Sequence, residues 1–196
     1  VTAKIRTGFD ALHINAVELA HVLEESGASA ITVHGRTRSQ YYSGKANWEV
    51  IGEVKSKVNI PVIGNGDITC LRDIIAMQKI TGVDGFMVGR AAQGNPWIFA
   101  GILREDELMS SGSITEDELV SDGNGYKPSW DDIKSMILRH ARMLIDYKGE
   151  YIGIREMRKH SAWYITGLHG ASTFRGRINE VESIEELDTL LNNWEL

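Results

Sequence analysis

Ile60-Pro61-Val62-Ile63-Gly64-Asn65-Gly66-Asp67, and then Asp84-Gly85-Phe86-Met87-Val88-Gly89-Arg90 one helix later, decide how this chain folds. In both stretches a short apolar run ends on a polar, glycine-bearing cluster, and residues at helical spacing follow. This is the sequence form of a strand whose carboxyl end carries chemistry and whose next element is a crossover helix. Working toward the N-terminus, Val1–Arg6 ends on Lys4-Ile5-Arg6, and Ala30–His34 runs into Gly35-Arg36. Between and after these strands the spacing predicts helices over 15–26, 48–56, 71–81 and 91–103, the last after an irregular Gly94-Asn95-Pro96 turn. Four βα units in register predict an α/β fold with a parallel sheet and right-handed crossovers. A (β/α)8 TIM barrel needs eight such units and about 250 residues. The expectation is therefore half a TIM barrel over residues 1–104.

Residues 105–129 are rich in Ser, Gly, Asp and Glu and read as a surface linker. Apolar periodicity returns at 130–147, where Ser129-Trp130-Asp131-Asp132 resembles a capped start. Two further helices, around 153–166 and 183–194, would complete a small all-α domain over 130–196.

The chain has 196 residues, 42% hydrophobic and 24% charged, with a formal charge of −6. That balance is ordinary for a globular protein and excludes one that is basic throughout. It leaves room for a local basic face, since nucleic-acid binding follows local charge. Residues 140–180 carry 7 Lys/Arg against 4 Asp/Glu. The single cysteine, Cys70, excludes an internal disulfide framework and suits a reducing compartment. No apolar run has membrane length and no signal-peptide pattern opens the chain, so a cytoplasmic location is expected. Val1 is not a methionine and strand residues begin at once, which suggests a piece of a longer polypeptide.

Gly64-Asn65-Gly66-Asp67 lets the backbone approach a ligand closely, and the N–H groups of the following helix favour an anion. A tight turn with Asp67 as a helix cap is the alternative. Gly89-Arg90 suits bidentate phosphate binding, or else a surface ion pair. Together the two motifs match the phosphate site that barrels build from consecutive strand ends. Lys4, in an otherwise buried strand, needs a partner: a ring with acceptor atoms, or a carboxylate. His34 gains weight from its place at a strand end. In the loop that follows, Arg36, Arg38 and Lys45 lie among Tyr41, Tyr42 and Trp48, a mixture that can hold a nucleic-acid backbone and stack on bases or simply form a solvated face. Cys70 is read as a small packed residue and not as a nucleophile. No metal-ligand spacing is present. Arg155, Arg158 and Lys159 share one helical face, and with Arg175 and Arg177 they form either a phosphate-binding surface or a salt-bridged one.

The ordered series Lys4-Ile5-Arg6, Val33-His34-Gly35-Arg36-Thr37-Arg38, Gly64-Asn65-Gly66-Asp67, Val88-Gly89-Arg90-Ala91-Ala92-Gln93-Gly94-Asn95-Pro96-Trp97 and Met157-Arg158-Lys159-His160 with Trp163-Tyr164 resembles the C-terminal part of the tRNA-dihydrouridine synthases. The resemblance implies an FMN-bearing TIM barrel followed by a helical tRNA-binding domain. It also implies reduction of the C5–C6 bond of uridines in tRNA, with NADPH reducing the flavin. By position, Lys4 and His34 would meet the isoalloxazine end of FMN, and Asn65, Gly66, Asp67, Gly89 and Arg90 its ribityl phosphate. Arg36, Arg38, Arg155, Arg158, Lys159, Arg175 and Arg177 would face tRNA. The family's catalytic cysteine, in an Asn-x-Gly-Cys-Pro-like motif of the N-terminal half, has no counterpart here. The fragment alone is expected to be inactive, to hold flavin weakly, and to self-associate through the exposed half-barrel as a homo-oligomer. Two other readings stand beside it: an FMN barrel resembling dihydroorotate dehydrogenase, and a non-catalytic tRNA-binding fragment.

Overall fold

The computed structural model describes residues 1–119 and 127–194. Its sheet holds β1 (Thr2–Arg6), β2 (Ala30–His34), β3 (Val62–Asn65) and β4 (Gly85–Met87), in the order β1-β2-β3-β4 with every pairing parallel. The helices α1 (Ala16–Glu25), α2 (Trp48–Lys55), α3 (Leu71–Thr81) and α4 (Ile98–Ser110) each follow one strand. Then come α5 (Trp130–Lys148), α6 (Glu150–Tyr164), α7 (Ala171–Ile178) and α8 (Ile184–Asn192). This is an α/β architecture consistent with part of a TIM barrel.

Register sorts the strand side chains onto two faces, because successive residues point opposite ways and paired residues point the same way. One face carries Ile5, Val33, Gly64 and Phe86, which align across the four strands, with Ile31 opposite Val62. It packs against Ala16 and Ala20 of α1, Ile51 and Val54 of α2 and Met77 of α3, and these five are fully buried with Ile31, Val33 and Val62. α3 comes close to the sheet at Gly64: a Cβ there would lie 2.5 Å from Met77 Sδ. The other face presents Lys4 and Arg6, Thr32 and His34, Ile63 and Asn65, and Met87. Four strands with one apolar face thus leave a polar face free for chemistry.

The chain divides into two compact units, Val1–Ala91 with Ile98–Gly125, and Ala92–Trp97 with Tyr126–Leu196. The second contains α5–α8 around a core that includes Ile137, Ala141, Ile154, Met157, Ile165, Phe174, Ile178, Leu187 and Leu191. Ser129 and Asp132 form the capping box that opens α5, as the sequence suggests. Phe174 stacks on Trp194 with ring centroids 4.1 Å apart.

Three elements differ from the sequence reading. The helix expected over 91–103 begins instead as a 3-10 turn at Arg90–Ala92 and becomes α4 only at Ile98. α4 then runs on to Ser110, into the stretch read as a linker. Its buried stripe is Ile98, Gly101, Ile102 and Glu105, and the charged fourth member conceals the helical period. Further along, Thr115 and Glu118 form a capping box, Leu119 is buried, and Arg72 Nη2 donates to the Leu119 carbonyl at 2.9 Å. The remainder of the expected linker includes 120–126, outside the described residues. Finally, α7 goes unread in the sequence: it has eight residues and includes Ser172, Thr173 and Gly176, all weak helix formers. It forms because Ala171, Phe174 and Ile178 bury one face of it.

Replacing Ile51 by Ala should lower stability by about 2–5 kcal/mol through loss of buried methylenes and a residual cavity. Val22→Ala, at a half-exposed site on α1, should stay within about 0.5 kcal/mol. Urea denaturation of the two variants checks both values.

Candidate functional site

The polar face of the sheet ends on one row of register partners, Arg6, His34, Asn65 and Met87, at the carboxyl ends of the four strands. Asn65 joins the row together. Its Oδ1 accepts from Lys4 Nζ at 3.3 Å, and its Nδ2 donates to the Met87 carbonyl at 2.7 Å. Lys4, Asn65 and the approach to Gly89 are thereby linked across three strand ends. Burial, and then the charge of Arg6, press the Lys4 ammonium below its ordinary pKa.

His34 is 7% exposed. Burial first, then the positive charges of Arg6, Lys4 and Arg36, lower its pKa to about 4, with Asp67 opposing them. The imidazole is therefore uncharged near neutral pH and offers one donor and one acceptor. Gly66 passes beside it: with φ of +126°, its Cβ position lies 2.8 Å from Ala46 Cβ and 3.2 Å from His34 Cδ2. A side chain here would meet both strain and collision. The Gly66 carbonyl accepts from Trp48 Nε1 at 3.0 Å, which fixes the turn against the start of α2.

Asp67 follows in the left-handed region, with φ of +58°. Its Oδ2 accepts from the Ala46 N–H at 2.7 Å and from Arg36 Nη2 at 2.9 Å, and its Oδ1 accepts from Arg90 Nη2 at 3.1 Å. Arg36 Nη1 lies 2.8 Å from the same Oδ1. Burial opposes ionisation of this carboxyl, but the hydrogen bonds from Arg36 and Ala46 and the charges of Arg36 and Arg90 outweigh it and hold the pKa below its ordinary value. Arg90, about half exposed, also lies 4.8 Å from the centre of the Tyr42 ring. A Cβ added at Gly89 would meet nothing within 4 Å, so the backbone beside Arg90 borders open space.

Six of the seven residues expected at a cofactor thus lie at the carboxyl ends of the strands, although Asp67 turns its carboxylate to protein donors, and the seventh, Lys4 in the middle of β1, reaches Asn65 with its ammonium. Arg36 requires a correction. Read from sequence as facing RNA, it is only 2% exposed, with Nε donating to the Ser43 carbonyl and Nη2 to the Gly44 carbonyl and Asp67. Buried guanidinium needs a counter-charge and acceptors, and the loop supplies both. Arg38 remains at the surface, 5.7 Å from the centre of the Phe9 ring and 5.5 Å from that of Tyr41.

In the second unit, Arg158 donates twice to the Val181 carbonyl, at 2.9 and 2.6 Å. Arg155 lies over the Tyr151 ring at 3.7 Å and pairs with Glu182 at 3.4 Å. Lys159, Arg175 and Arg177 are exposed, the first 5.1 Å from the Trp163 ring centre. Arg6 has no role of its own in the sequence reading, yet its Nη1 donates to the carbonyls of Thr37 (2.8 Å) and Tyr41 (3.2 Å). Its signal was present: Lys4 and Arg6, two apart on a strand, share a face. Cys70 is buried, and burial raises its thiol pKa. Among the described residues, no three His, Cys, Asp or Glu are placed to hold a metal, and no helix is long and apolar enough to cross a membrane.

The donor set suits a phosphorylated heteroaromatic ligand. An ammonium and a neutral imidazole stand at one end, an amide lies between, and a half-exposed guanidinium beside an open glycine backbone stands at the other.

The family model described as dihydrouridine synthase matches residues 1–195. The chain is 39% identical over 188 residues to tRNA-dihydrouridine synthase B of Pseudomonas putida, covering 94% of this chain and 51% of that protein. It is 41% identical over 179 residues to a probable tRNA-dihydrouridine synthase of Rickettsia bellii, covering 91% and 51%. It is 37% identical over 193 residues to one of Mycobacterium leprae, covering 98% and 47%. The chain spans about half the length of the curated relatives it matches.

The His34 shift has a measurable consequence. A histidine that titrates at 6.5 when unfolded and at about 4 when folded makes the unfolded state the better proton binder between those values. Its contribution to stability is complete above pH 6.5 and is lost as pH falls toward 4. Denaturation at a series of pH values should show this slope, and His34→Asn should flatten it.

Proposed function

The chain belongs to the dihydrouridine synthase family, and from that premise we propose that it forms the FMN-binding wall and tRNA-binding helices of an enzyme that reduces uridine to dihydrouridine in tRNA. The observation that carries this reading is the Lys4–Asn65–Met87 chain of hydrogen bonds across three strand ends, beside Gly89 and Arg90. In this reading the four strands are the second half of a (β/α)8 barrel. Bound FMN would supply hydride chemistry, with NADPH as its reductant. Lys4 and His34 meet the ring, Lys4 as a donor steered by Asn65 Oδ1 and His34 as an uncharged polar group. Asn65 and Gly66 flank the ribityl chain, and the Gly89 backbone and the Arg90 guanidinium receive the phosphate. The Cys70 thiol is buried, so the proton donor to the uracil ring is assigned to the part of the relatives' length that this chain does not span.

For tRNA, the exposed cations Arg38, Lys159, Arg175 and Arg177 carry the reading, with Tyr41 and Tyr42 offering stacking surfaces. Arg155 and Arg158 are held by their own partners, Glu182 and the Val181 carbonyl. Local basic groups on an acidic chain are sufficient, since phosphate attraction is local and screened within about 10 Å at moderate salt.

Titration with FMN and with riboflavin, followed by flavin fluorescence, tests the cofactor reading. FMN should bind about tenfold more tightly or better, the equivalent of about 1.4 kcal/mol from its phosphate. Gly89→Ala should keep the thermal midpoint yet weaken FMN. Equal affinity for the two flavins, or an unchanged Gly89→Ala variant, would refute it. In tRNA gel shifts, Arg175→Gln with Arg177→Gln should lower the slope of log affinity against log salt by about 1–2.

A further inference from the structure

Asp67 sits in a motif that reads as ligand-binding, yet its carboxylate turns away from that task. Both oxygens already accept from protein donors: the Ala46 N–H and Arg36 Nη2 on Oδ2, and Arg90 Nη2 on Oδ1. A carboxylate beside a phosphate would repel it, so its presence needs another reason. The backbone indicates one. Gly66 and Asp67 both have positive φ, and the resulting turn aims the Asp67 side chain at the 36–46 loop. For a residue other than glycine, that conformation persists only where its surroundings hold it.

Arg36 provides the other half. It is buried, and its three nitrogens reach the Ser43 carbonyl, the Gly44 carbonyl and Asp67. One guanidinium therefore ties the far end of the loop to the turn after β3. Arg90 stands differently: about half exposed, it touches Asp67 through Nη2 and lies over Tyr42, while its Nε and Nη1 meet no protein acceptor among the described residues. One edge of its guanidinium is anchored and the other is open.

We propose that Asp67 is a positioning residue: anchored by buried Arg36, it holds the Arg90 guanidinium and the 36–46 loop in place for a phosphate that it does not itself touch. This rests on the reading of the strand ends as a flavin-phosphate site. The trio of Arg36, Asp67 and Arg90 keeps one net positive charge, so the anchor aims the cation without cancelling it. Tyr42, on the loop that Arg36 ties down, braces the other face of Arg90.

Asp67→Asn tests this. FMN affinity should fall about tenfold, as expected when a charge-assisted phosphate contact is disordered, while riboflavin affinity stays within about twofold. Equal loss for both flavins would show direct contact with the shared ribityl chain, or general collapse, and would overturn the proposal. Arg90→Gln should reproduce the FMN-specific loss, and the double variant should add little to either single one, because both act through one guanidinium. Full additivity would overturn it too. Since Asp67→Asn strands a buried arginine and can compromise folding, arginine 15N spectra of the unaltered chain titrated with inorganic phosphate provide a variant-free test. The Arg90 Nε signal should move and the Arg36 signal should not. Movement of both would overturn the fixed-anchor proposal, and movement of neither would overturn the anion-site reading and the proposal with it. FMN preferred over riboflavin by the unaltered chain, but with Asp67→Asn without effect, would sink the proposal alone.

Discussion

Everything at the strand ends depends on period-two alternation within a parallel register. Once Ile31, Val33 and Val62 are committed to the helices, Lys4, Arg6, Thr32, His34 and Asn65 must share the opposite face, because paired residues point together and neighbours point apart. The hydrophobic effect on one side of the sheet thus positions the polar groups on the other. A one-residue slip of β3 would send Asn65 into the helix layer and bring Gly64 or Gly66 into its place. The fully buried Val62 resists that slip.

Electrostatics then give each group on the face its state. Arg36 and Arg90 both pair with the Asp67 carboxylate, while Lys4, Arg6 and Arg36 act on His34. Burial first, and then those cations, keep His34 uncharged, and the hydrogen bonds from Arg36 and Ala46 with the charges of Arg36 and Arg90 hold Asp67 ionised despite its burial. The cations also leave the neighbourhood receptive to an anion, with the open side of Arg90 and the unobstructed backbone at Gly89 as the available contacts. The carboxylate that pairs with Arg36 of the 36–46 loop is the one that pairs with the half-exposed Arg90. The second unit divides its cations in a similar way. Arg155 and Arg158 satisfy a carboxylate and backbone carbonyls, while Lys159, Arg175 and Arg177 remain at the surface.

Much of the site was legible because its residues are local in sequence. Asn65-Gly66-Asp67 and Gly89-Arg90 each sit on one turn after one strand, and their residue types carry their chemistry wherever the chain goes. Arg36 was misread for the opposite reason. Its role depends on Asp67, 31 residues away, and on carbonyls of Ser43 and Gly44 that no residue type signals. The extent of α4 was obscured by Glu105 on its buried stripe, and α7 by weak helix formers that only tertiary burial makes helical.

The sequence by itself determined the βα alternation, the strand ends that carry polar clusters and the family resemblance, since these follow from local apolar period and short motifs. Tertiary structure alone decided which cations face solvent and which are spent inside, and that Asp67 serves Arg36 and Arg90. Burial and partner choice are properties of pairs brought together across the sheet, and a guanidinium's surroundings, more than its identity, set what it can bind.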